Sequence, residues 1–177
     1  MRLIRALATT ALLTAVGVAA AVSPATAAGQ PESPYGDSGW FPTPSEPAEI
    51  PGGALCAFPI RIAEPIDGVR GRVVATEPEL QEEYVGPLTV EVTNLDTGAS
   101  TTVNASGHGH IVTYHADGSQ TWDWSGPVAV GFRPDRANNH APGLYLLTGR
   151  YTAELAPWGR TITSAQGTEK DLCAMIA

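Results

Sequence analysis

Two cysteines, Cys56 and Cys173, limit what this chain can fold into more than any other feature. They lie near the two ends of the patterned region, and two cysteines allow one intramolecular pairing. The segment before them sets the redox compartment. Residues 1–28 begin with the cations Arg2 and Arg5, continue through an apolar run from Ala6 to Val22 and end in Ala25-Thr26-Ala27. That is the build of a secretory signal peptide, which predicts a secreted, extracellular protein in which a disulfide is stable. Closing so long a loop removes unfolded-state entropy worth about 4 to 5 kcal/mol in the chain-entropy model. A stapled frame is therefore expected, and a catalytic thiol is not.

Charge narrows the partners. The chain has 10 Lys plus Arg and 18 Asp plus Glu. Without Arg2 and Arg5, eight cations face 18 carboxylates, a net of −10. Such a protein repels phosphate backbones and carries no basic stripe interleaved with aromatics, so nucleic acid is excluded as a partner. No later apolar stretch is long enough to insert in a membrane.

Residues 29–53 hold six prolines and five glycines without a sustained apolar period, which predicts a flexible Pro/Gly-rich linker. Tyr35, Trp40 and Phe41 are unusual in a plain spacer and could pack on the domain or meet a partner. Residues 54–177, roughly 120 of them, are enough for one domain with one core.

The two-residue alternation of half-buried strands runs through this domain. Cys56, Phe58, Ile60 and Ile62 alternate with Ala57, Pro59, Arg61 and Ala63. A second strand covers Val69 to Thr76, and a third runs from Tyr84 to Asn94 after an acidic connection, Glu77 to Glu83. Around Asp96-Thr97-Gly98-Ala99 the apolar sides coincide if Val92 faces Val103 and Val90 faces Ala105. In the next hairpin, pairing His115 with Ser119 puts His110 beside Trp124, Val112 beside Trp122 and Tyr114 beside Gln120, with Thr113, His115, Thr121 and Asp123 on the other face. Further strands follow through Val128 to Phe132, Leu144 to Leu155 and Arg160 to Gln166, and only Thr168 to Ala177 has a helical pattern. Eight or nine sequential strands predict an all-β fold, a single antiparallel up-and-down β-barrel of about eight strands, with a β-sandwich as the alternative.

The turn motifs Asn94-Leu95-Asp96-Thr97-Gly98 and Asp117-Gly118-Ser119, with Gly143-Leu144, Thr148-Gly149-Arg150 and the ending Asp171-Leu172-Cys173-Ala174, resemble those of small secreted actinobacterial proteins of uncharacterised function. The resemblance implies export and a β-fold over the domain, and carries no catalytic residues to transfer. An allene-oxide-cyclase-like or lipocalin-like barrel is an architectural analogy, which confers no activity.

For chemistry, His108-Gly109-His110 would place both imidazoles on one strand face, as a metal chelate needs. Asp123 falls on the opposite face, so a third ligand has to come from a distant strand, with Glu64 and Glu91 as candidates. The sequence therefore implies no resident metal and no cofactor. Tyr114, Trp122 and Trp124 share the face of His110 and give it flat apolar surface with hydrogen-bond donors. His108, His110, Tyr114, Trp122 and Trp124 are thus the candidate ligand-binding residues, in an interior either filled by side chains or large enough for one ligand. The leading expectation is a secreted non-enzymatic β-barrel module binding a small apolar molecule or an extracellular protein. The alternative is a small-substrate enzyme, an isomerase or cyclase or a metal-dependent one, working from the His108/His110 face.

Overall fold

The computed structural model describes residues 39–177, so the signal peptide expected at 1–28 and the first part of the expected linker, Tyr35 included, lie outside the described residues. The described chain is all-β and forms two sheets. Thirteen strands follow one another: β1 Phe41–Pro42, β2 Ala48–Ile50, β3 Ile60–Asp67, β4 Arg70–Ala75, β5 Leu80–Val85, β6 Leu88–Asn94, β7 Ser100–Asn104, β8 His110–Tyr114, β9 Gln120–Ser125, β10 Val128–Phe132, β11 Ala137–Asn138, β12 Gly143–Ala156 and β13 Gly159–Asp171. The larger sheet is ordered β1-β4-β5-β8-β9-β12-β13-β11, with β10 also on β12; the smaller is β2-β3-β6-β7. Pairing is antiparallel except for the short β11–β13 contact, and no closed barrel forms among the described residues.

The strand count exceeds the expected eight or nine because β1, β2 and β11 add short strands and a proline junction divides another. The expected third strand, Tyr84 to Asn94, is broken at Gly86-Pro87, and the chain crosses there from β5 in the larger sheet to β6 in the smaller. Pro87 has no N–H for a ladder. Gly86 has φ +144°, and a Cβ on it would lie 2.2 Å from the Gly68 carbonyl oxygen, so only glycine passes. Of the expected acidic connection, Glu77 to Glu83, only the first three residues connect, and from Leu80 it is a strand whose charges find partners: Glu83 pairs with Arg72 at 2.6 Å, and Glu82 accepts phenol hydrogen bonds from Tyr84 and Tyr114. Gly126-Pro127 likewise separates β9 from β10, and both then flank the long β12, β10 at Gly143–Leu147 and β9 at Arg150–Leu155.

The expected linker is sheet-bound over its described part. β1 pairs with β4 and β2 with β3. The Trp40 ring lies 4.6 Å from the Arg72 guanidinium and 5.6 Å from that of Arg70, and Phe41 covers Gly71, where a Cβ would come within 2.5 Å of its ring. These aromatics anchor a Pro-rich segment that composition alone leaves loose.

The His115–Ser119 hairpin has the expected register, His110 opposite Trp124 and Val112 opposite Trp122, with Gly118 at φ +83°. The β6–β7 hairpin differs by two residues: Val90 faces Val103 and Val92 faces Thr101. A two-residue shift leaves every side chain on its face, so apolar alternation cannot distinguish the two. Asn94 decides. Its Oδ1 accepts the Asp96 N–H at 2.9 Å and the Thr97 N–H at 3.3 Å, fixing a turn closed by Asn94 N–H to Ala99 O at 2.8 Å.

The helical pattern of Thr168 to Ala177 does not become a helix. β13 continues to Asp171 along β12, and the Asp171 carboxylate accepts the N–H groups of Cys173 (2.8 Å) and Ala174 (3.1 Å), holding a turn instead. The turn delivers Cys173 to Cys56, with Cα atoms 5.4 Å apart, and buries Leu172 and Ile176. Asn94, 2% exposed, donates from Nδ2 to the Ile176 carbonyl at 2.9 Å.

The single core expected is in fact two clusters. One joins Ile60, Val90, Val92, Val103 and Ala105 of the smaller sheet and its flank to Leu144, Cys56, Leu172 and Ile176. The other joins Trp124, Val130, Phe132, Leu147, Tyr151 and Ala153 of the larger sheet. The disulfide closes a loop of 117 residues around the first cluster. Replacing both cysteines with serine should lower unfolding free energy by about 2 to 5 kcal/mol in urea titrations; a loss under about 1 kcal/mol would mean that packing alone holds the ends together.

Candidate functional site

Four adjoining strands of the larger sheet, β5, β8, β9 and β12, build one wall of the site. Their register sets Tyr84, His110, Trp124 and Tyr151 in one row, and Glu82, Val112, Trp122 and Ala153 in the next. Opposite partners project to the same face. The other wall comes from the smaller sheet, where the alternation Ile60, Ile62 continues to Glu64 and that of β6 presents Leu88 and Val90. Between the walls, where the two clusters do not merge, lies a cavity of about 500 Å³, partly open to solvent.

Its lining is mostly apolar, with Leu55, Ile62, Val90, Val128 and Leu144 prominent, and Trp122 supplies an aromatic wall. Six ionisable or hydroxylic side chains interrupt it: Thr43, Ser45, Glu64, Tyr84, Ser106 and His110. Three of them carry a buried polar atom without a hydrogen-bond partner, namely Glu64 Oε2, His110 Nδ1 and Thr43 Oγ1. Buried polar atoms are nearly always paired, and each unpaired one costs about 1 to 3 kcal/mol. Their convergence on one cavity marks it as a place where a polar partner fits.

The environment moves the titrating groups in opposite directions. Burial raises Glu64 above its ordinary value near 4.5, helped by the neighbouring charge of Asp67. Asp67 itself is held low: burial pushes it up, but the backbone N–H groups of Ser45 (2.6 Å) and Val69 (3.1 Å) favour its charged form. Burial lowers His110 below 6.5, which favours neutral imidazole. Tyr84 is raised, by burial first and then by the hydrogen bond it donates to Glu82, so it is a neutral phenol.

Of the five residues expected to bind ligand, His110 and Trp122 line the cavity. Tyr114 does not. Its hydroxyl donates to Glu82 at 2.7 Å, behind Tyr84. Trp124 is 4% exposed and belongs to the second cluster, edge-on to Trp122 with ring centroids 6.1 Å apart. His108 sits apart, in the exposed loop before β8, where its N–H bonds to Ser125 O at 2.7 Å. The one-face spacing expected of His108 and His110 requires a strand at both positions. Gly107 and Gly109, at φ +60° and +113°, turn the chain instead.

Of the two third-ligand candidates, Glu64 faces the cavity with His110, whereas Glu91 alternates away from Val90. No group of three His, Cys, Asp or Glu side chains positioned to hold a metal occurs among the described residues. Asp123 lies on the other face, as expected, accepting the Thr152 hydroxyl at 2.7 Å. The sequence signal for Glu64 is a carboxylate on the inward beat of an apolar alternation. Tyr84 and Thr43 have no such signal, since strand pairing and a Pro-rich segment bring them in.

No protein-family model, curated protein or solved structure matches the chain.

The opposed shifts give a pH signature. Between 4.5 and the raised value of Glu64, the folded protein holds a proton that the unfolded chain has released, so stability falls as pH rises through that window. For His110 the unfolded chain protonates near 6.5 and the folded protein only below it, so stability falls as pH drops through 6.5. Urea midpoints measured from pH 4 to 8 should lose the first slope in Glu64→Gln and the second in His110→Gln. Curves parallel to the parent protein in both variants would show that neither side chain feels the cavity.

Proposed function

We propose that this protein is a secreted, non-enzymatic binding module that holds a small, mainly apolar molecule between its two sheets, in an open-sandwich arrangement, with the ligand's polar end at Glu64 and His110. The observation that carries this reading is the half-open cavity of about 500 Å³ in which Glu64 Oε2 and His110 Nδ1 are buried without partners. Small-ligand sites have this volume and this mixture, apolar walls with a few convergent polar groups. A neutral carboxyl donates one hydrogen bond and accepts another, and a neutral imidazole does the same. The complementary group is a hydroxyl or carbonyl. Export fits the leader-like start of the chain and the disulfide, and an extracellular carrier or scavenger of small apolar molecules needs nothing further.

A second reading is favoured by one observation: Glu64 is pushed toward its protonated form and His110 toward its neutral form in the same cavity. That is the pairing of an acid with a base, the arrangement a proton-shifting isomerase uses. Conversion of a bound carbonyl compound, lost in both Glu64→Gln and His110→Gln, separates this reading from simple binding.

The test uses a neutral fluorophore, N-phenyl-1-naphthylamine, titrated into the folded protein. The expected result is saturable one-to-one binding with blue-shifted emission, weakened at least tenfold in Ala129→Phe, which places a ring in the cavity. Leu95→Phe, which places the same ring on the exposed β6–β7 turn away from the cavity, serves as the control and retains fluorophore binding. Absence of saturable binding, or equal binding by Ala129→Phe, would overturn the proposal.

A further inference from the structure

A second cleft, of about 340 Å³, lies at the far end of the β12–β13 hairpin, where three arginines, Arg133, Arg136 and Arg160, converge with Asn138. The chain as a whole has only 10 Lys plus Arg against 18 Asp plus Glu, so three of its cations in one cleft is a marked local reversal of charge. We propose that this cleft is a binding site for a multiply charged oxyanion, of which phosphate is the simplest.

The cleft is built rather than accidental. β11 carries Asn138 and pairs with the start of β13, setting Asn138 opposite Arg160. Asn138 Nδ2 donates to the carbonyls of Arg133 (2.5 Å) and Arg136 (3.0 Å), curling the loop that bears both arginines. Asn139 clasps the same loop to Ile162, donating to its carbonyl at 2.7 Å and accepting its N–H at 2.9 Å. Arg160 Nη1 donates to Gly131 O at 2.6 Å, with its guanidinium 5.9 Å from the Phe132 ring centroid, and Arg136 Nη1 donates to Pro157 O.

Among the described residues no carboxylate pairs with these charges. The salt bridges among the described residues are Arg72–Glu83, His115–Glu79 and His140–Glu169, and none of them involves the three arginines. Asp135 stands in the same loop but does not line the cleft. Arg160 is half-buried, and burial lowers it from its ordinary value with no carboxylate to hold it up. A desolvated cation without a counterion is costly, and a guanidinium offers five N–H donors in a planar fork that matches two oxygens of a phosphate or carboxylate. The backbone carbonyls engage one donor each from Arg136 and Arg160, which leaves the remaining donors for a ligand. Because the rest of the surface is acidic, an anion arriving here is bound by local geometry and not by the general field.

Isothermal titration calorimetry of the full chain with inorganic phosphate, against chloride at matched ionic strength and pH 7, tests the site. One-to-one phosphate binding is expected. It should weaken at least tenfold in the double variant Arg133→Gln/Arg136→Gln and at least threefold in Arg160→Lys, which keeps the charge and loses the fork. Neutral-fluorophore binding should be unchanged in both, and both should keep the far-ultraviolet circular dichroism and cooperative unfolding of the parent protein, separating this site from the inter-sheet cavity and from misfolding. A parallel arm measures co-sedimentation with vesicles containing phosphatidic acid, whose phosphomonoester headgroup can carry two charges, against phosphatidylcholine vesicles. Binding to the anionic vesicles alone, abolished by the double variant, assigns the oxyanion to a lipid headgroup. If neither free phosphate nor anionic vesicles bind, or if binding survives within twofold in the double variant, the proposal is wrong.

Discussion

The fastening of the C-terminal turn onto the smaller sheet is the constraint from which the rest of the structure follows. Three contacts make it: the Cys56–Cys173 bridge, the insertion of Leu172 and Ile176 among Ile60, Val90 and Val92, and the Asn94 side-chain bond to the Ile176 carbonyl. Because Cys173 follows β13 directly, the same turn joins the end of the larger sheet to the beginning of the smaller. A bridge across 117 residues acts chiefly on the unfolded chain, whereas Asn94 acts on the folded one. Its amide reads three backbone positions at once, setting the β6–β7 turn with one atom and the C-terminus with the other.

Pinning the sheets at that end leaves the region beside it under-filled. The first cluster gathers around the bridge, the second around Phe132, Leu147 and Tyr151, and the cavity occupies the gap. Well-packed interiors avoid gaps of this size, and they avoid unpaired polar atoms in them. Glu64, His110 and Thr43 break the second rule in the same place where the first is broken. Departures from local packing rules concentrate at functional sites. The cavity is therefore where the chain gives up packing and polar pairing, which is what the binding proposal rests on, and the arginine cleft repeats the pattern in charge, with a half-buried Arg160 that has no counterion among the described residues.

The sequence was most legible where a single local signal decided the outcome. The Asp117-Gly118 turn and the separation of apolar from polar faces fixed the β8–β9 register to the residue. Alternation was ambiguous for β6–β7, because a shift of two preserves every face and only the Asn94 side chain breaks the tie. The pairing of Cys56 with Cys173 was readable from the count, whereas the division into two sheets depended on recognising Gly86-Pro87 as a crossing rather than a strand interior. Within the site, His110 and Trp122 followed from hairpin register, and His108 was lost to the glycine turns around it. Glu64 was visible as a charge on an inward beat, but its meeting with His110 depends on how the two sheets face one another, which no local pattern encodes. The grouping of Arg133, Arg136 and Arg160 depends in the same way on a loop folding back along β13.

The central claim is that the two sheets enclose an accessible apolar space beside the bridged end. A crystal structure of the protein under xenon pressure tests it most directly, since xenon enters apolar cavities without needing a specific ligand. The account predicts xenon between Ile62, Val90, Val128 and Leu144, adjoining His110 and Glu64. Continuous side-chain density through that space, with no xenon in it, would contradict the account.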